Sequence, residues 1–139
     1  MKVVLDTNIL ISAALKGGLS EQILRLSASK HLSLITSVEI LTELSNKLRT
    51  KFGWSKTDID LYLQTLREIS DVVHPSNKIT LISRDPDDNK ILEAALEGKA
   101  NLIVSIDKDL INLKKYKNIG IIHPKTLTWI LPKLFEEEL

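Results

Sequence analysis

Five acidic residues fall at the ends of apolar runs or on helical segments of the sequence. They are Asp6, Glu43, Asp88, Asp107 and Asp109. Carboxylates a few ångströms apart raise each other's pKa and destabilise the fold, and a hard divalent cation removes that cost. Mg²⁺ and Mn²⁺ prefer oxygen ligands, and such an ion lowers the pKa of bound water and shields phosphodiester charge. If these acids converge, the pattern indicates metal-dependent phosphodiester chemistry.

The distance between Asp6 and Asp107 depends on how two predicted strands pair. The run 3–5 and the run 102–105 are apolar without polar alternation, which is typical of strands buried on both faces. We predict that strands 2–6 and 102–106 are adjacent and parallel, which would place Asp6 and Asp107 at one edge of the sheet. Ligands bind at that edge in open α/β proteins. Asn8 or Thr7 would then cap a helix that begins with Ile9.

The other acids depend on predicted helices. Glu43 lies about 60° from Ile40 on a helical wheel, at the edge of the apolar stripe, whereas Glu39 lies farther round on the solvent side. Asp88 stands near a helix N-terminus, where the helix dipole favours an anion. Each acid also has an ordinary interpretation as a cap or a solvated residue, Asp109 as the cap of a segment at 109–114. Their joint placement favours a shared site.

The elements that must position these acids alternate along the chain. Strands are predicted at 2–6, 32–36, 72–73, 102–105 and 119–122, with helices between them. Strands separated by helices favour a parallel sheet covered on both faces, so the fold class is α/β. A length of 139 residues predicts one domain spanning 1–139.

Composition narrows the class further. The chain has no cysteine, which excludes a disulfide framework and a thiolate metal site. Setting the five site acids apart leaves 13 acidic residues against 19 lysines and arginines, so the remaining surface should be mildly basic and suit a polyanion. We find no membrane-length apolar run and no signal-peptide pattern, and we expect a cytoplasmic protein.

Two basic stretches with aromatic residues are candidate RNA contacts. Their candidate residues are Lys47, Arg49, Lys51 and Trp54 in the first, and Lys114, Lys115 and Lys117 in the second. Basic groups beside aromatic rings bind single-stranded nucleic acid through phosphate contacts and base stacking. Trp54 also has a purely structural alternative, as one half of a hydrophobic staple with Ile59.

Several motifs together resemble one known family. They are Val4-Leu5-Asp6-Thr7-Asn8-Ile9-Leu10, Glu43-Leu44, Arg84-Asp85-Pro86-Asp87-Asp88-Asn89 with Ala94-Ala95, and Val104-Ser105-Ile106-Asp107-Lys108-Asp109-Leu110. In this order they resemble PIN-domain proteins, and among these the small VapC-type toxins of toxin–antitoxin pairs. The resemblance implies a three-layer α/β/α sandwich with a mainly parallel sheet and Mg²⁺- or Mn²⁺-dependent ribonuclease activity. It also implies frequent homodimers and a possible antitoxin partner.

The resemblance assigns roles by position. Asp6, Glu43, Asp88 and Asp107 match the family's catalytic and metal-binding acidic quartet. Asp109 matches a less regular fifth metal-binding acid, and Asn8 and Ser105 match supporting positions near the metal. Because the pattern near Asp88 varies, Asp87 or Asp85 remains an alternative ligand.

Other functions remain open at the level of sequence. A receiver-like module also carries acids at strand ends, although it normally has two adjacent acids after the first strand, where this chain has Leu5-Asp6. An RNA-binding module with a non-catalytic acidic metal site is a further alternative. Apolar residues near the C-terminus weakly support the implied homodimer, or they close the core. These are Leu127, Trp129, Ile130 and Leu131.

Overall fold

The computed structural model describes residues 1–79, 81 and 86–136. The strands are β1 (Lys2–Leu5), β2 (Ser33–Ser37), β3 (Ser70–Val73), β4 (Leu102–Val104), β5 (Lys115–Tyr116) and β6 (Ile119–Ile122). The helices are α1 (Thr7–Leu15), α2 (Gly18–Ala28), α3 (Val38–Thr50), α4 (Lys56–Ile69), α5 (Pro86–Glu97), α6 (Lys108–Leu113), α7 (Pro124–Ile130) and α8 (Pro132–Glu136). Within these residues, no helix has the length and apolar character needed to cross a membrane.

The strands form one sheet in the order β3-β2-β1-β4-β6-β5. Every neighbouring pair is parallel except β5 and β6, which are antiparallel. The helices complete an α/β/α sandwich around this mainly parallel sheet, which confirms the predicted fold class.

The two strands that carry the first and last acids are direct neighbours. Val4 of β1 pairs with Ile103 of β4 in parallel register, and the backbone N–H of Asp6 donates to the carbonyl of Val104 at 3.1 Å. The predicted adjacency is confirmed, although both strands are shorter than expected. β1 ends at Leu5 because the next residue already caps a helix.

Helix α5, which carries Asp88 and the alternative ligand Asp87 in its first turn, packs against β1, β2 and β4. Gly98, directly after this helix, permits the close approach: a Cβ atom there would lie 2.6 Å from Cγ2 of Ile35 in β2. The side chains of Ile91 and Leu92 are buried in the core. This burial holds the first turn of α5 against the sheet edge that carries Asp6.

Helix caps explain where several helices begin. Ser37 caps α3 by accepting from the N–H of Ile40, and Ser55 caps α4 by accepting from the N–H of Asp58. The predicted start of the first helix is wrong. Asp6 itself caps α1, and the helix begins at Thr7 rather than Ile9, because the Asp6 carboxylate accepts from the N–H of Ile9 in the first turn.

Candidate metal centre

Asp6 and Asp107 are joined through one serine hydroxyl. Oδ1 of Asp6 accepts from the N–H of Ile9 at 2.9 Å, and Oδ2 accepts from the hydroxyl of Ser105. The same hydroxyl oxygen accepts from the N–H of Asp107 at 2.9 Å. Ser105 is fully buried, so it fixes the two strand ends, and with them two acids, relative to each other.

Asp107 caps the next helix with a single oxygen. Its Oδ1 accepts from the N–H of Asp109 at 2.8 Å and from the N–H of Leu110 at 3.2 Å. Carboxylate oxygens of Asp88, Asp107 and Asp109 all lie within 4.8 Å of one another. That spacing permits the three groups to share one cation.

A small cavity is lined by four of the five predicted acids. It has a volume of about 20 Å³ and is lined by Asp6, Thr7, Asn8, Glu43, Lys47, Asp87, Asp88, Ile91 and Asp107. A volume of roughly 10–15 Å³ accommodates one water molecule, so the cavity holds one water or one ion and excludes a nucleotide. The hydroxyl oxygen of Thr7 is buried there without a hydrogen-bond partner in the described part of the chain. Oxygen donors around an ion-sized space fit a hard divalent cation.

Burial sets the electrostatics of Asp6. Desolvation raises the pKa of its carboxyl group above the usual value, and the charge of Asp107 raises it further. The hydrogen bonds from Ser105 and from the backbone of Ile9 oppose this rise without cancelling it. A nearby cation would lower this pKa again and favour the charged form of Asp6.

Two lysines lie against the acidic cluster. Nζ of Lys47 lies 2.9 Å from Oε1 of Glu43, and Nζ of Lys90 lies 2.9 Å from Oδ1 of Asp87. The hydrogen bond to Asp87 raises the pKa of Lys90, and the charges of Glu43 and Glu39 add to that rise. Lys47 on α3 and Lys90 on α5 therefore partly neutralise the negative charge of the acidic cluster.

The acids at the start of α5 have different environments. Asp88 is buried and belongs to the three-acid group, whereas Asp87 is half-exposed and pairs with Lys90. Both line the acidic cavity. The other alternative ligand, Asp85, lies outside the described residues.

Sequence reasoning did not single out Lys90 and placed Glu39 on the solvent side. Glu39 is half-buried, and its Oε2 is shielded from solvent without a hydrogen-bond partner among the described residues. Glu39 does not line the acidic cavity, but it is less exposed than a single-helix wheel indicates, because α5 packs against α3 and brings Lys90 within reach of its charge. Lys90 had a sequence signal, since it stands three residues after Asp87, a spacing at which helical side chains pair.

The first basic stretch divides between the site and the exposed surface. Lys47 lines the acidic cavity, and Arg49 and Lys51 are exposed at the end of α3. The ring of Trp54 lies 6.1 Å from that of Tyr62 and packs against the core, so the residue has a structural role in the fold. Its staple with Ile59 stays a prediction.

The second basic stretch lies at the edge of the sheet. Lys114, Lys115 and Lys117 are exposed around β5, and Nζ of Lys117 lies 5.7 Å from the ring centre of Tyr116. None of these three lysines lines the acidic cavity. Contact with RNA at either stretch remains a prediction.

Comparison with known proteins identifies the family. A family profile described as PIN domain matches residues 2–109. The chain belongs to the PIN-domain family. This PIN-domain chain is 39% identical to uncharacterized protein MJ1680 of Methanocaldococcus jannaschii over 147 residues, covering 99% of this chain and 91% of the relative. Membership separates the chain from receiver-like modules and confirms the resemblance seen in its motifs.

Solved structures show the same fold. The VapBC2 structure from Rickettsia felis, bound to a DNA fragment from its promoter, matches 87% of this chain and 97% of its own with a TM-score of 0.64 and 21% identity. The VapBC-1 structure from nontypeable Haemophilus influenzae matches 90% of this chain and 99% of its own, with a TM-score of 0.62 and 19% identity. The PIN-domain chain therefore has the fold of a chain in VapBC structures.

Proposed function

We propose that this PIN-domain protein is a metal-dependent endoribonuclease that hydrolyses phosphodiester bonds with water. The observation that carries the proposal is the convergence of four acids on one ion-sized cavity. These are Asp6, Glu43, Asp88 and Asp107, with Asp109 grouped beside the last two. Three separate helices and two strand ends contribute to this arrangement, so local sequence spacing does not explain it.

The acids have distinct tasks in this proposal. Asp88, Asp107 and Asp109 hold Mg²⁺ or Mn²⁺, and Asp6 and Glu43 complete the negative charge around it. A divalent cation, when bound, supplies Lewis acidity and offsets charge that develops on the phosphodiester. Ser105 holds Asp6 and the backbone of Asp107 in register, and Lys47 attracts the anionic backbone toward the acids.

The histidines support a reaction that uses water rather than the RNA 2′-hydroxyl. His31 contacts Ser29, and Nδ1 of His123 accepts from the N–H of Lys125 to cap α7. None of the residues that line the acidic cavity is a histidine. We therefore expect products with 5′-phosphate and 3′-hydroxyl ends and no 2′,3′-cyclic phosphate.

The test is cleavage of an end-labelled single-stranded RNA with Mg²⁺, Mn²⁺ or EDTA. The parent should cut with either metal and not with EDTA. Four conservative substitutions should each abolish cutting: Asp6→Asn, Glu43→Gln, Asp88→Asn and Asp107→Asn. Asp71→Asn removes the same charge from an exposed position on the edge strand β3 and should leave cleavage unchanged.

Two results would contradict this proposal. If EDTA and all four substitutions leave cutting unchanged, the activity belongs to another site or to a contaminant. If the parent binds the RNA and never cuts it, the protein is an RNA-binding module with a non-catalytic acidic site.

We also propose that the protein forms a homodimer through its C-terminal region. Leu127 is buried in the core, whereas Trp129 is 75% exposed and Ile130 is 44% exposed, so these two residues present apolar surface to solvent. Light scattering at high micromolar concentration should show a dimer that Trp129→Ala weakens. Leu61→Ala, at a 59% exposed apolar position on α4, is the matched control, and a monomeric parent would overturn the dimer.

We further propose that the protein acts in the cytoplasm as the toxin of a toxin–antitoxin pair. Family membership and the two VapBC neighbours support this role. Induced expression should slow growth of a bacterial host, Asp107→Asn should relieve the arrest, and co-expression of the protein encoded by the adjacent gene should restore growth. Normal growth with an active, RNA-cleaving parent would argue against a toxin role.

A further inference from the structure

A second and larger cavity adjoins the acidic one. It has a volume of about 480 Å³ and is lined by Asn8, Ile106, Asp107, Lys108, Asp109 and Asn112. Four of its six lining residues are exposed, so it is an open groove with room for a flat group rather than an enclosed pocket. The two cavities share Asn8 and Asp107. Because the acidic cavity holds about one ion, a nucleotide that reacts there must place its base outside, and this second cavity begins at the same two residues.

Three polar side chains of the larger cavity are available to a ligand. Asn8, Lys108 and Asn112 are exposed, and none has a side-chain hydrogen bond or ion pair within the described part of the chain. Each asparagine amide presents two N–H donors and one carbonyl acceptor. Unstacked bases of single-stranded RNA are read through the same combination of donors and acceptors on their edges.

The remaining lining favours a neutral, flat group over a second phosphate. Ile106 is 47% exposed, an apolar surface against which a base can pack. Lys108 is the one cationic side chain among the six lining residues, so the lining has no cluster of basic groups for a second phosphate. A nucleobase is uncharged and offers an apolar face together with polar edges, which this lining matches.

We propose that the larger cavity binds the nucleobase next to the scissile phosphate of a single-stranded RNA, and that Asn112, together with Asn8, sets the base preference of cleavage. This inference rests on the proposed endoribonuclease function, because the acidic cavity defines which phosphate is scissile. It assigns Ile106 as the packing surface for the base.

The first experiment maps cleavage sites in a random-sequence RNA pool cut by the parent, by Asn112→Ala and by Ile106→Ala. The parent should prefer one or two bases at one position beside the cut. Asn112→Ala should reduce that preference about three- to tenfold, which is the worth of one or two hydrogen bonds, while total cleavage changes less. Both positions are exposed, so the variants should keep the parent melting temperature.

The matched control is Asn46→Ala, the same substitution at an exposed position on α3 outside this cavity. It should leave the preference intact. If the parent cuts without any base preference beside the cut, or if Asn112→Ala keeps the parent preference, the assignment of this cavity is wrong while the nuclease function stands.

A binding experiment separates this inference from the nuclease proposal. The four 5′-nucleoside monophosphates are titrated into isotope-labelled parent protein with Mg²⁺ and followed by NMR. At least one should shift the side-chain amide signals of Asn112 and the methyl signals of Ile106, and Asn112→Ala should weaken its binding. If these shifts occur in a protein that cuts no RNA, only the nuclease proposal is wrong. If none of the four nucleotides causes them, the assignment of the larger cavity to a nucleobase is wrong.

Discussion

Two aspartates perform the same structural task at neighbouring strand ends, and they differ in what else they can do. Asp6 follows β1 and caps α1, and Asp107 follows β4 and caps α6. Asp6 is 4% exposed and uses both carboxylate oxygens, one for the Ile9 N–H and one for the Ser105 hydroxyl. Asp107 is half-exposed and uses Oδ1 alone for two backbone donors.

This difference indicates that Asp6 mainly holds the site together, whereas Asp107 has an oxygen available for a cation. Within the described residues, Oδ2 of Asp107 has no hydrogen-bond partner, and Asp107 belongs to the three-acid group whose oxygens lie within 4.8 Å. Each oxygen of Asp6 already accepts a hydrogen bond from the protein, and its carboxylate adds buried negative charge to the acidic cavity. Asp107 therefore caps its helix with one oxygen and leaves the other available to an ion. At Asp6, both oxygens are engaged by hydrogen bonds within the protein.

The largest expected effect comes from removing the free oxygen of Asp107 while keeping the cap. Asp107→Ser keeps a good N-cap for α6, so the metal-free melting temperature should stay near that of the parent. Mn²⁺ at 100 times its dissociation constant should stabilise the parent by about 2.7 kcal/mol and leave the variant unchanged. RNA cleavage should fall more than about 100-fold, since loss of a metal ligand exceeds loss of its outer-shell partners.

Asp107→Ala supplies the comparison for that variant. It should lose metal binding and, in addition, about 1 kcal/mol of stability from the missing cap. Equal metal-free melting temperatures for the two variants would show that capping by Asp107 has no energetic weight.

The second prediction asks which acid of α5 joins Asp107. Asp88→Asn should weaken Mn²⁺ binding at least tenfold, because Asp88 is buried beside Asp107 and Asp109. Asp87→Asn should change the affinity less than about threefold, because Asp87 is half-exposed and paired with Lys90. Calorimetric titration of Mn²⁺ measures both, and the reverse order would make Asp87 the ligand.

The third prediction concerns the hydroxyl that links the two aspartates. Ser105→Ala removes a buried donor to Asp6 and a buried acceptor from the N–H of Asp107, and should destabilise the protein by about 1–3 kcal/mol. It should also raise the pKa of Asp6 further, because the Ser105 hydrogen bond lowers it. Urea unfolding measures the loss of stability.

Ser27→Ala is the control for that substitution. Ser27 is also buried, but its hydroxyl donates to the carbonyl of Ile23 within its own helix. A loss as large as that of Ser105→Ala would mean that burial of a serine, rather than the link between the acids, accounts for the effect.

The smallest expected effect follows from the pKa of Asp6. A carboxyl group whose pKa is raised by folding binds its proton more tightly in the folded state, so its ionisation costs stability as the pH rises above about 4. In EDTA at pH 7, Asp6→Asn should therefore melt at a higher temperature than the parent. The difference should disappear near pH 3, where both states of the parent are protonated at this position.

Asp71→Asn controls for the loss of one negative charge in that melting series. It should leave the melting temperature close to the parent value at both pH values, because Asp71 is exposed. A parent more stable than Asp6→Asn at pH 7 would show that the hydrogen bonds of Asp6 outweigh its desolvation.

The proximity of Asp6 and Asp107 could be predicted from the sequence because a strand that is buried on both faces is apolar at every position. Val3, Val4 and Leu5 are fully or almost fully buried, as their lack of alternation required. Once two such strands are parallel neighbours, the residues that follow them must meet. The adjacency of Asp6 and Asp107 thus follows from the parallel pairing of the two short apolar strands β1 and β4.

Features that depend on contacts between elements were beyond sequence reasoning. The cap of α1 was misplaced because Asp6, Thr7 and Asn8 all suit an N-cap, and backbone geometry decides among them. Glu39 is less exposed than its helical wheel indicates because α5 packs against α3, and a wheel contains no neighbouring helix. The larger cavity beside the acids was not anticipated, since it depends on how α6 and the start of α1 lie together.

The central position of β1 has a consequence for biosynthesis. Its partner β4 begins at Leu102, so a growing chain carries Asp6, Glu43 and Asp88 well before it contains the strand that aligns Asp107 and Asp109 with them. At about 5–20 residues per second, roughly 5–20 s of translation separate the start of β1 from the end of β4. A growing chain therefore lacks the assembled acidic site until β4 has been added, and the proposed ribonuclease should be inactive on the ribosome until then.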